Sequence, residues 1–273
     1  MQVYDSSVKL TPVVSQVESV INSRGLLRLL VARDLTVRYK RSVIGIWWSL
    51  LNPLFTTAVL FYVFNTVFKA RMPDGTSFLP YMLAGVLMMT LFNQGLTIAA
   101  DSIASGAGVL TKVYVRPEVF AFSATISSAI NFIFGLVPLT VVLLISGKHP
   151  GIKAPLVLVV IACMTLMTTG LGLLLAVAYI NFDDFRSLIQ IVLLMLQYMT
   201  PVFYPISVLG PHTLRVIKLN PLTSYLQVFR NVFGGNGAAS LNNWIMMVGS
   251  SLVLFVLGFF IFSRQWPKVV AKI

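Results

Sequence analysis

A chain of 273 residues with 57% hydrophobic and only 10% charged side chains does not suit a soluble domain, where about 25% of residues carry charge. A mean hydropathy of +0.88 implies more apolar surface than a water-facing fold of this size can hide, so lipid is the expected solvent and one membrane domain without a large soluble module the expected organisation. The net charge of +12 argues for topology control and contact with anionic lipid. It does not argue for nucleic acid, because the aromatics lie inside the apolar runs and not among exposed basic residues.

Residues 1–45 read as a polar cytoplasmic segment, and residues 46–273 as the membrane domain. No cleavable signal peptide is expected, since the first apolar span begins after residue 45 behind a long polar stretch. Ser15-Gln16-Val17-Glu18 fits a capping box that opens a helix. Val17, Val20 and Ile21 share one face, and Leu27, Leu30 and Val31 repeat the spacing beyond Gly25. With Arg24 and Arg28 one turn apart, residues 15–41 predict an amphipathic helix lying on the membrane. Asp34 and Arg38 are spaced to pair at i, i+4. A plain orientation signal is the alternative.

Spanning a hydrocarbon core of about 30 Å takes about 20 helical residues. Six windows qualify: Ile46–Phe68, Phe78–Ala100, Phe120–Ile145, Pro155–Ile180, Ser187–Tyr204 and Leu241–Phe262. None contains Asp, Glu, Lys or Arg. Backbone groups in lipid must pair internally and no barrel-like alternation is present, so these are helices. An even number of spans puts both termini on one side. That side collects Lys9, Arg24, Arg28, Arg33, Arg38, Lys40 and Arg41, then Lys112, Arg116, Arg186, Arg264, Lys268 and Lys272. The other side collects Lys69, Arg71, Lys148, Lys153, Arg215, Lys218 and Arg230. Thirteen against seven predicts that both termini are cytoplasmic. The expected class is an all-α polytopic membrane protein with six transmembrane helices.

Between the fifth and sixth windows the chain reads Pro201-Val202-Phe203-Tyr204-Pro205, then Pro211, then Asn220-Pro221. Prolines break helices or start them. Asn220 as N-cap with Pro221 as first helical residue predicts a new helix whose apolar face is Leu222, Tyr225, Leu226 and Phe229. Leu214 and Ile217 mark a shorter piece before it. Both are too short to span, which fits two external re-entrant helices or an amphipathic surface loop. Gly234-Gly235-Asn236-Gly237 turns the chain into the last span. In the third span Ala121, Thr125 and Ala129 form a small-residue ridge, facing either another helix of the chain or a second copy.

Little in the sequence suggests catalysis. The phosphate-binding pattern G-x-x-x-x-G-K-[ST] is absent, so the chain is not expected to hydrolyse ATP. The spans lack an ionisable series, which argues against ion coupling. Cys163 is alone, and His149 and His212 sit apart in polar connections without acidic neighbours, so no disulfide or metal site is expected. Asp183-Asp184 could hold Mg²⁺ for glycosyl transfer but fits the start of a helix better. The loop from Val109 to Phe120, with Lys112, Arg116 and Glu118, suits either a groove on a soluble partner or an ordinary solvated turn.

The block Arg33-Asp34-Leu35-Thr36-Val37-Arg38-Tyr39-Lys40-Arg41-Ser42-Val43-Ile44-Gly45-Ile46-Trp47-Trp48, with Asn52-Pro53-Leu54, resembles the start of the first span in ABC-2 type permeases. It looks most like the branch that exports lipid-linked polysaccharides such as O-antigen, teichoic acid and galactan. Lys112-Val113-Tyr114 with Pro117-Glu118 is similar to that family's coupling helix. Asp184-Phe185-Arg186, Thr200 to Pro205, and Asn220-Pro221-Leu222 with Arg230 are similar to its fifth span and external half-helices. Asp183 stands where an arginine is frequent, and Arg116-Pro117 reverses a frequent order.

The resemblance implies a subunit of the bacterial cytoplasmic membrane that works as two copies over a separate ATPase subunit. ATP and Mg would belong to that partner, with no cofactor in this chain. Lys112, Val113, Tyr114, Arg116, Pro117 and Glu118 would meet the ATPase. Arg33, Arg38, Tyr39, Lys40 and Arg41 would guide an anionic lipid headgroup, and Tyr198, Phe203 and Tyr204 would line the path of a lipid-linked polysaccharide. The rival expectations are an ABC-2 exporter of a small molecule or lipid, a membrane glycosyltransferase using Asp183 and Asp184, and a non-transporting scaffold.

Overall fold

A computed structural model of the chain describes residues 23–40, 45, 47–67, 77–110, 115–182, 184–234 and 239–270. All regular structure among them is helical. Helix α1 (Arg24–Tyr39) precedes α2 (Trp47–Tyr62), which runs on into a π-helical turn at Val63–Val67. Then come α3 (Phe78–Ser105), the short α4 (Ala107–Leu110) and α5 (Glu118–Ile145). A 3-10 turn at Ala154–Leu156 leads into α6 (Val157–Asn181), followed by α7 (Asp184–Met199). Two short helices, α8 (Pro211–Leu219) and α9 (Pro221–Gly234), precede the long α10 (Leu241–Val270).

Among the described residues five segments are long and apolar enough to cross a bilayer: Trp47–Thr66, Phe78–Ser105, Glu118–Ile145, Ala154–Asn181 and Leu241–Pro267. The remaining window of the sequence, Ser187–Tyr204, is built differently. Helix α7 has 16 residues, about 24 Å of rise, and stops at Met199. Pro201 and Pro205 have no amide hydrogen to continue the ladder, and residues 200–204 bend. The bend is itself apolar, which is why hydropathy does not register the break.

Helix α3 packs against α5 and α6, and α6 against α10. Met82, Leu83, Met88, Met164, Met167 and Phe229 lose nearly all contact with the surroundings there. Small residues set the helix spacing. A Cβ on Gly170 would lie 2.5 Å from the Phe255 Cα and against the Leu254 carbonyl, and a Cβ on Gly258 would strike the Gly170 backbone. Helices α6 and α10 therefore cross in backbone contact. The ridge Ala121, Thr125 and Ala129 is buried within the chain, and the Thr125 and Thr169 hydroxyls share a hydrogen bond of 2.8 Å. The ridge serves α5–α6 packing within one copy.

Helix α1 lies on the start of α5 through Leu30, Val119 and Phe120, while Leu29 and Val37 stay exposed on its other side. The capping box at Ser15–Glu18 lies outside the described residues, and the described helix begins after Ser23. Helix α9 is an interior element and not a surface loop. Leu222, Tyr225, Leu226 and Phe229 are all buried, the Tyr225 hydroxyl donates to the Cys163 carbonyl at 3.2 Å, and Phe229 meets Phe132.

Candidate functional site

After α1 the chain turns at Gly45, whose φ of +56° is reached without strain only by glycine. The turn returns the chain beside α3 and α5 and encloses a cavity of about 340 Å³. Arg38, Trp48, Ser49, Asn52 and Pro53 form one wall. Leu87, Thr90, Leu91 and Gln94 of α3 form the second, and Ser128, Asn131 and Phe132 of α5 the third. Three carboxamides thus converge, each able to donate and accept. The Thr90 hydroxyl donates to the Val86 carbonyl at 2.8 Å and the Ser128 hydroxyl to the Ala124 carbonyl at 3.1 Å. Both hydroxyl protons are engaged on their own helices, and their oxygens remain acceptors. Among the described residues Arg38 is the only ionisable one in the lining.

Arg38 donates to the Gln94 carboxamide oxygen at 3.5 Å. The pairing with Asp34 expected from i, i+4 spacing does not form; Asp34 pairs with its neighbour Arg33 at 3.0 Å, and Arg38 reaches across to α3. Of the residues expected to guide a headgroup, Arg38 reaches the cavity. Arg33 and Lys40 are exposed, Tyr39 closes α1, and Arg41 lies outside the described residues.

The expected partner-binding stretch is only partly described. Lys112, Val113 and Tyr114 lie outside the described residues. Arg116 is half-buried and Pro117 buried. Glu118 is 7% exposed in the first turn of α5, where a negative charge opposes the helix dipole. Since Val119 and Phe120 pack on Leu30, any displacement of this stretch bears directly on α1.

At the other end of α3 lies a second polar centre. Arg230 is 6% exposed, and its guanidinium donates to the carbonyls of Pro201 at 2.8 Å, Tyr81 at 3.0 Å and Val202 at 3.2 Å. It stacks 3.4 Å from the centre of the Tyr81 ring, whose hydroxyl donates to the Tyr204 carbonyl at 3.1 Å. Gly85 makes room: a Cβ there would lie 2.8 Å from the guanidinium. Burial pushes Arg230 down to about 10, which leaves it charged at neutral pH, compensated by carbonyl dipoles and a ring face. The charge count over the sequence placed Arg230 with the basic residues on the non-cytoplasmic side and did not show that it is buried. The missed signal is local: Leu226 and Phe233, one turn before and after it, put the arginine on the apolar face of α9.

The three expected path residues do not share one exposed surface. Tyr198 is 63% exposed, whereas Phe203 is buried against Phe64 and Tyr198. Tyr204 donates to the Tyr198 carbonyl at 3.0 Å. Asp184 opens α7, Asp183 lies outside the described residues, and Arg186 pairs with Asp101 of α3 at 3.1 Å. His149 and His212 are exposed. Among the described residues no group of three or more His, Cys, Asp or Glu is placed to hold a metal.

This bundle of apolar helices belongs to a membrane transport family. Residues 25–234 match the ABC-2 type transporter family, and the chain is a member of it. Over 252 residues, 92% of the chain and 96% of the relative, it is 27% identical to the O-antigen export system permease protein RfbA of Myxococcus xanthus. It is 24% identical over 240 residues to the O-antigen export system permease protein RfbA of Klebsiella pneumoniae, covering 88% of the chain and 91% of that protein. It is 22% identical over 253 residues to the capsule polysaccharide export inner-membrane protein CtrC of Neisseria meningitidis serogroup A, covering 92% and 94%.

Proposed function

We propose that the chain is the permease subunit of a polysaccharide exporter in the bacterial cytoplasmic membrane. The observation that carries this reading is similarity along nearly the whole chain to permeases named for O-antigen and capsule polysaccharide export. The cargo is a glycan still joined to its lipid carrier, of O-antigen, teichoic acid or galactan type. Energy comes from a separate ATPase subunit that hydrolyses Mg-ATP and docks at the stretch from Lys112 to Glu118. Two copies of the chain form the passage, with both termini cytoplasmic. Helix α7 and the bend after it supply a sixth crossing, with α8 and α9 as re-entrant pieces on the outer side. Arg33, Arg38, Tyr39, Lys40 and Arg41 meet the anionic headgroup, and Tyr198 and Tyr204 face the moving sugar.

Depletion of the protein followed by fractionation of lipid-linked glycans tests this. Export predicts full-length polymer accumulating on the cytoplasmic side. Loss of the polymer altogether would assign a role in synthesis. An unchanged surface glycan would overturn the reading in favour of a small-molecule or lipid exporter.

A further inference from the structure

We propose that the cavity between α1, α2, α3 and α5 is a binding site for one sugar ring, held within a single copy of the chain. The proposal rests on the function above and names the part of the cargo that the chain recognises. Its lining on α3, Leu87 to Gln94, occupies the middle third of that helix, so the cavity reaches well into the membrane. Asn52, Gln94 and Asn131 converge there from three helices. Carboxamides that donate and accept side by side match neighbouring ring hydroxyls, each of which also does both. The Thr90 and Ser128 oxygens add acceptors.

Trp48 stands at the rim, 51% exposed, and offers a flat apolar face to the C–H side of a ring while the carboxamides meet its edge. Among the described residues no carboxylate lines the cavity. Arg38 therefore accepts an acidic substituent, a phosphate or a uronic acid, without opposition. A volume of about 340 Å³ is near the lower limit for a small-molecule site. It has room for one sugar ring. A phospholipid headgroup would need the same cation but would leave the three carboxamides largely unused.

The test uses the full chain in lipid nanodiscs with Trp47, Trp244 and Trp266 replaced by Phe, so that Trp48 is the only indole. Glucose, galactose, N-acetylglucosamine and glucuronate are titrated separately, with glycerol 3-phosphate as a soluble headgroup probe. At least one sugar is expected to change Trp48 fluorescence saturably with a midpoint of about 1–10 mM. Asn52→Leu and Gln94→Leu should each weaken that response tenfold or more. In case those variants fold poorly, Ser49→Cys in an otherwise intact cavity gives a second readout: the same sugar should slow its alkylation by N-ethylmaleimide at least threefold. The proposal is overturned if no sugar acts up to about 100 mM, where a millimolar site is saturated. It is equally overturned if the leucine variants respond unchanged, or if glycerol 3-phosphate alone binds. A chain that is required for export yet binds no sugar refutes the site and leaves the function. A chain that binds sugar while depletion leaves the surface glycan unchanged refutes the function and leaves the site.

Discussion

Two groups of helices in this molecule are both largely apolar and have opposite surroundings. In α3 72% of the most apolar window is buried inside the chain, and in Ala154–Asn181 61%; in Trp47–Thr66 only 11% is. Helix α7 buries Leu193 alone. Side-chain size separates the groups. Helix α6 carries Gly170, Gly172 and Ala176 on its contact faces, and α5 carries Ala121, Ser123, Ala124 and Thr125. Helix α7 contains no glycine or alanine, and α2 has only Ala58. In lipid, apolar character alone does not draw helices together; close backbone approach does. The small-residue helices form the frame, and α2 and α7 present bulky exposed faces.

The largest test of this contrast is at the clamp that ties the two groups together. Arg230→Met should cost about 3–5 kcal/mol of stability, since it removes the cation that the buried Pro201 and Val202 carbonyls accept from. Thermal unfolding in detergent reads it, and Arg230→Lys should fall between that variant and the wild type because a point charge reaches fewer acceptors. Next, Gly170→Ala should cost about 1–3 kcal/mol, because its Cβ meets backbone that cannot turn aside. Asn220→Ala should cost about 1 kcal/mol. It removes the carboxamide that accepts from the Leu222 amide and donates to Thr200. Asp101→Asn breaks a half-exposed ion pair at the start of α7 and should cost about 0.2–1 kcal/mol, less at high salt. Smallest of all, Leu194→Ala on the exposed face of α7 should stay within about 0.5 kcal/mol, while weakening self-association measured by cross-linking. If Leu194→Ala destabilises the chain as much as Gly170→Ala, the division into frame and open faces fails.

Much of the frame could be read before any coordinates. Length and apolarity located the five long helices, and Asn220-Pro221 marked the start of α9 because a cap and an N1 proline are local features. The small-residue ridge on α5 was visible, but its direction was not: Thr125 needs Thr169, 44 residues away, to show which way it faces. The polar cavity draws on α1, α2, α3 and α5, none of which carries a motif by itself. Arg230 was counted with the charges on the non-cytoplasmic side, and its burial was not legible because its three acceptors are backbone carbonyls, which every residue has. Only the bend at 200–204 makes them available together.

The clamp also has a consequence for biogenesis. Tyr81 and Arg230 are 149 residues apart. At synthesis rates of about 5–20 residues per second, the ribosome reaches Arg230 roughly 7–30 s after Tyr81. During that interval α3, α5 and α6 can enter the bilayer and associate, and the bend after α7, once made, meets the Tyr81 hydroxyl and the Phe64 ring but still lacks the guanidinium. The arginine arrives as a fastener that closes an assembled frame, so nascent chains truncated before residue 230 should insert their early helices normally and leave α7 sensitive to protease.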